Sequence, residues 1–208
     1  MKLFAGLFLL VFVVTFLARP RLSGGLVWDA ANALGFVALT GVLYLTVTAR
    51  GARDVPRHEW FAYATIGLVL AHGFALLLVD GAVAEYLKPG APAYMWAGVG
   101  SLVALLISSL LAVLPARRER HRSYGSFKVW HRVLGIVALT GAVWHVIGSG
   151  FYVSATVQIA ALIAVCLWAG AARELRLMPT VASVASPAVL LAAGFAGAVV
   201  FVALRYAA

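Results

Sequence analysis

The chain has 208 residues, 64% of them hydrophobic and 11% charged, with a mean hydropathy of +1.01, which lies outside the range of water-soluble domains and points to an integral membrane protein. Sixteen Lys and Arg against seven Asp and Glu give a formal net charge of +9, but the basic residues cluster between apolar segments, so topology explains them and no nucleic-acid-binding module is needed. The single cysteine, Cys166, excludes an internal disulfide and any Cys-x-x-Cys redox or zinc site on this chain, and reads as a small buried apolar residue.

Seven apolar segments run through the chain at about residues 3–18, 26–48, 60–79, 94–114, 129–149, 152–170 and 184–204. Each is near the roughly 20 residues that cross about 30 Å of hydrocarbon. The first, KLFAGLFLLVFVVTFLARP, lacks a small-x-small cleavage site, so it is expected to be a retained helix, ended by Arg19, Pro20 and Arg21. The second starts near Gly24-Gly25 and ends at the basic cluster 50–57, where Pro56 marks a helix boundary. The third carries His58 and His72 and ends at Asp80-Gly81. The loop after it, with Glu85, Lys88, Pro89, Gly90 and Pro92, is too rich in Gly and Pro to remain helical.

The fourth segment has no histidine and only serines as polar residues, which assigns it to packing. A basic loop, 117–122, follows, with His121 read as a solvated surface residue. The fifth segment carries His131 and His145, and one intervening helix makes the third and fifth parallel. The sixth follows Gly148-Ser149-Gly150 and the seventh follows Met178-Pro179, and neither holds an ionisable residue within the bilayer. GFVALTG at 35–41 and GIVALTG at 135–141 look alike, but no other segment pair supports an internal repeat. Connections are short, and nothing is left over for a nucleotide-binding module. The expected fold is therefore all-α: one transmembrane domain, 1–208, of seven membrane-spanning helices.

If the segments alternate, one side collects Lys2, Arg50, Arg53, Arg57, Arg117, Arg118, Arg120, Arg122, Lys128, Arg132, Arg173 and Arg176. The other holds only Arg19, Arg21, Lys88 and Arg205. The positive-inside rule makes the first group cytoplasmic, with the N-terminus inside and the C-terminus outside.

The chemistry lies in four histidines. His58 and His72 are fourteen residues apart, as are His131 and His145. On a helix, fourteen steps fall about 40° short of four full turns, so each pair shares a face with its members about 21 Å apart. In parallel helices His58 then faces His131, and His72 faces His145. Ionisable residues within a bilayer are costly and imply a partner, and His72 and His145 have no intramembrane acid for one. A bare zinc or copper ion wants three or four ligands around one centre, whereas these come in twos. Heme supplies four equatorial nitrogens and asks the protein only for axial ligands. Two histidines on each iron fill the coordination sphere, so the expected work is one-electron transfer. Gly135 and Gly141 would leave room for a flat ring, and Arg57, Lys128 and Arg132 stand where they could pair with the propionates of the inner heme or serve as ordinary positive-inside anchors. Trp130, Trp144, Phe74 and Phe151 would either wall the cofactors or sit in interfacial belts.

These residues resemble the ferric reductase-like transmembrane domain shared by ferric reductases and NADPH oxidases. The likeness is carried by His58 and His72 on the third helix and Trp130-His131 with His145 on the fifth, and covers roughly residues 31–170. It implies a heme-binding core, 26–170, with two hemes b: His58 and His131 on the inner iron, His72 and His145 on the outer. The seventh helix, 184–204, stands where family members that act alone carry a flavin- and NAD(P)H-binding module. A secondary resemblance is to the heme-bearing membrane subunit of the periplasmic methionine sulfoxide reductase system, which lacks the full set of four histidines.

The resemblance implies a diheme cytochrome b in a bacterial inner (plasma) membrane. It would take electrons from a cytoplasmic flavin or NAD(P)H reductase or from quinol, and pass them to ferric iron, oxygen or a periplasmic redox partner outside. One rival is the same cytochrome as a subunit of a multi-protein reductase with no substrate site of its own. Another is a heme-free transporter or scaffold, against which the sequence places no Asp or Glu clearly within a helix to form a proton chain.

Overall fold

The computed structural model describes residues 2–17, 25–48, 55–113, 124–174 and 187–207. All regular structure among them is helical: α1 (Lys2–Phe12, continued by a π turn, Val13–Leu17), α2 (Gly25–Thr48), α3 (Val55–Val79), α4 (Ala93–Val113), α5 (Tyr124–Ser149), α6 (Thr156–Glu174) and α7 (Pro187–Ala207). Four stretches, Gly25–Val47, Val55–Val79, Ala93–Val113 and Gly125–Ser149, are long and apolar enough to cross a membrane, as a multi-pass membrane protein requires. The other apolar helices are shorter: Leu3–Thr15, Thr156–Ala172 and Leu191–Leu204.

Helix α2 is the hub. Of its apolar window 72% is buried, against 6% in α3 and 17% in each of α4 and α5, because it packs against α1, α3, α6 and α7. Between helices in lipid there is little hydrophobic drive, so small residues that let backbones approach must do the joining. On α7, Gly194 lies against Val37 and Phe4, and a Cβ at Gly197 would stand 2.8 Å from the Phe8 ring. Phe4, Phe8, Phe12, Phe36 and Phe61 with Tyr44, Tyr152 and Phe201 then form one aromatic core around α1 and α2.

The four long helices form two close pairs, α2 with α3 and α4 with α5. In the first, Gly41 admits Thr65, whose Oγ1 would lie 2.6 Å from an added Cβ. In the second, Gly141 sits over the Ala97 carbonyl at 2.9 Å and Gly148 over Tyr94 at 2.6 Å, measured from an added Cβ. Direct packing between α3 and α5 is slight by comparison.

Several boundaries differ from the hydropathy reading. Helix α3 starts at Val55, not near 60, because Pro56 suits a first helical turn where its missing N–H costs nothing. Helix α5 starts at Tyr124, one turn before its apolar stretch. After Asp80 the chain does not leave helical geometry at once: Gly81–Leu87 is a 3₁₀ helix, closed by an exposed Lys88–Glu85 ion pair of 2.6 Å. Helix α6 begins only at Thr156, since Gly150 takes a left-handed φ of 66° and Gln158 Oε1 caps the helix by accepting from Ser154 N and Ala155 N.

Candidate functional site

The four histidines meet in two pairs, as their spacing leads one to expect. His58 and His131 have ring centroids 6.0 Å apart with planes at 62°, and His72 and His145 have centroids 6.4 Å apart with planes at 77°. Because the lower-numbered member pairs with the lower-numbered, α3 and α5 run parallel. Two imidazoles bonded from opposite sides to one metal, each at about 2 Å and with about 1 Å from nitrogen to ring centre, have centroids about 6 Å apart. Both separations are compatible with that arrangement. Among the described residues no group of three or more His, Cys, Asp or Glu is placed to hold a metal ion, so the two-ligand pairs do not grow into a zinc-type shell.

The His72–His145 pair is held by one device used twice. His72 Nδ1 lies 2.9 Å from the Ala31 carbonyl on α2, and His145 Nδ1 lies 3.0 Å from the Tyr94 carbonyl on α4. A glycine follows each accepting carbonyl by four residues. A Cβ at Gly35 would stand 3.0 Å from the His72 ring, and one at Gly98 2.8 Å from His145 Nδ1. Removing the side chain one turn on uncovers the carbonyl and lets the ring edge reach it. A carbonyl only accepts, so Nδ1 of each neutral ring carries the proton and the lone pair is left on Nε2, the state that ligates a metal.

At the His58–His131 pair, His131 Nδ1 lies 2.8 Å from Ser108 Oγ on α4, and Phe127 stacks on the His131 ring at 5.5 Å. Arg57 adjoins His58 in the first turn of α3, and Lys128 and Arg132 bracket His131 on α5. All three are exposed at the end of the molecule that holds His58 and His131.

Some expectations need correction. Helix α4 does more than pack: through Tyr94, Gly98 and Ser108 it orients both histidines of α5. Gly141 is spent on the contact with Ala97 and Ser101, while Gly135 has nothing within 4 Å of an added Cβ; the imidazoles of His72 and His145 find their own room over Gly35 and Gly98. Trp130, Trp144, Phe74 and Phe151 are exposed, and Phe151 meets Trp28 edge-on at 6.3 Å. A carboxylate does lie within a helix. Asp29 in α2 is fully buried and accepts a 2.7 Å hydrogen bond from Tyr152 Oη. Cys166 is half-buried on α6 against the core.

His121 and the topology-bearing Arg19, Arg21, Arg50, Arg53, Arg117, Arg118, Arg120, Arg122 and Arg176 lie outside the described residues, as do the side chains of Lys2, Arg173 and Arg205. No family model, curated protein or solved structure matches the chain.

Proposed function

We propose that the chain is a diheme b-type cytochrome of the membrane, resembling the ferric reductase-like domain, that relays electrons across the bilayer. The observation that carries this reading is the opposition of two imidazole pairs at 6.0 and 6.4 Å, the outer pair with both Nδ1 atoms bonded to carbonyl oxygens. A heme bound between each pair supplies an iron that takes up and gives up single electrons. The protein's share is to present Nε2 lone pairs, to keep the rings from rotating, and to keep the two sites fourteen residues, about 21 Å, apart along α3 and α5. Arg57, Lys128 and Arg132 offer cations to the propionates of the inner group.

With seven spans and the N-terminus inside, the inner pair faces a cytoplasmic flavin or NAD(P)H reductase, or draws on quinol. The outer pair faces a ferric complex, oxygen or a periplasmic redox protein. An electron leaving a negative interior gains about 2.3 kcal/mol per 100 mV over the full crossing.

The test is the heme-to-protein ratio of the purified chain with its dithionite-reduced difference spectrum. Two hemes per chain and a b-type band are expected. Their absence from protein made in heme-replete cells refutes the reading. A second reading, a proton or ion carrier free of heme, draws on the buried Asp29 in α2, and that same negative spectrum is the result it requires.

A further inference from the structure

Two kinds of hydrogen bond are made by serine and threonine hydroxyls on the described helices. Thr15, Thr40, Thr46, Thr65 and Thr140 each donate to the carbonyl four residues earlier on their own helix, at 2.7 to 2.9 Å. That is the ordinary way to satisfy a hydroxyl on a helix in lipid. Ser101 and Ser108, both buried and two turns apart on one face of α4, reach across to α5 instead. Ser101 Oγ donates to the Ala138 carbonyl at 2.6 Å and so ties two backbones together. Ser108 Oγ lies 2.8 Å from an imidazole nitrogen, Nδ1 of His131.

A hydroxyl at this position is not equivalent to the carbonyls that serve His72 and His145. A carbonyl only accepts, whereas a serine hydroxyl rotates to accept or to donate. His131 can therefore carry its proton on Nδ1 and donate to Ser108, or carry it on Nε2 and accept from Ser108. Only the first form has a lone pair on Nε2 and can ligate a metal. A hydrogen bond from the distal N–H also raises the basicity of a ligating imidazole, and with it the electron density given to the metal.

We infer that Ser108 is a positioning residue of the inner heme site: with Nε2 of His131 on the iron, Ser108 Oγ accepts the hydrogen bond from Nδ1–H, fixes the ring's orientation and lowers the reduction potential of the inner heme relative to a ring lacking that acceptor. The inference rests on the diheme reading. Because Ser108 is buried, bulk water does not replace its oxygen when it is removed.

The test is redox potentiometry, followed optically, on the purified wild type, Ser108→Ala, Ser108→Thr and Ser101→Ala, each with its heme-to-protein ratio. In Ser108→Ala one of the two midpoint potentials should rise while the other stays. Ser108→Thr should restore it, and Ser101→Ala, which removes a hydroxyl from the same face without touching a histidine, should leave both unchanged. Loss of a single heme in Ser108→Ala, recovered in Ser108→Thr, also supports the inference. Two hemes with unaltered potentials in Ser108→Ala overturn it and leave the diheme reading intact, as does an equal shift in Ser101→Ala. A wild type without heme overturns both.

Discussion

His72 and His145 are held by different helices through the same contact: each ring donates Nδ1–H to a carbonyl, of Ala31 on α2 and of Tyr94 on α4, and rests on the glycine four residues further along. The rings are thus fixed from α2 and α4, outside the α3–α5 pair. That arrangement makes the proposed relay open to direct trial.

The first trial is removal of the ligands. His72→Ala or His145→Ala should cost the outer heme, and His58→Ala or His131→Ala the inner, so that each single variant carries about one heme where the parent carries two. Pyridine hemochrome content against protein mass reads this directly. Equal content in the parent and all four variants would reject the ligand assignment.

The glycine contacts give a sharper trial, because they leave every histidine in place. Gly98→Ala puts a Cβ 2.8 Å from His145 Nδ1, and Gly35→Ala puts one 3.0 Å from the His72 ring. Neither neighbour can yield without moving the imidazole, and overpacking of this kind costs about 1–3 kcal/mol. Each substitution should lower outer-heme occupancy severalfold. Gly100→Ala and Gly67→Ala, on the same two hairpins but with nothing within 4 Å of the added methyl, should retain both hemes. Optical spectra that rank all four variants alike would contradict the role given to Gly35 and Gly98.

Asp29 and Tyr152 predict a stability effect. The 2.7 Å bond from Tyr152 Oη to buried Asp29 joins α2 to the segment between α5 and α6. Tyr152→Phe keeps the ring that packs edge-on against Phe36 and deletes only the donor. Leaving a buried acceptor without that donor costs about 1–3 kcal/mol, so thermal unfolding in detergent should fall by several degrees. An unchanged melting temperature would show that the pair carries little of the fold's stability.

A relay and a reductase differ in turnover. With a flavin reductase and a ferric chelate supplied, a chain with its own acceptor site should turn over continuously, whereas a relay subunit should show heme reduction followed by little ferrous product. Stopped-flow spectra alongside ferrous-iron trapping distinguish the two, and failure of the heme band to respond to any reduced donor would count against both.

From the sequence alone one can read that the chain is helical and apolar enough for a membrane, and that His58 faces with His72 and His131 with His145. Hydropathy and the 3.6-residue period are local properties, written in residues that lie within a few turns of one another. Parallel α3 and α5 follow from counting one helix between them. What holds the rings was not legible. A backbone carbonyl has no residue type to mark it, and the contacts of His72 with Ala31 and His145 with Tyr94 span 41 and 51 positions. Ser108 looked like one more small polar residue on a packing helix. Asp29, near the start of an apolar segment, gave no sign of burial until the fold brought Tyr152 to it from 123 positions away. Periodicity decided which side chains share a face, and only the docking of helix against helix decided which lone pairs those side chains keep.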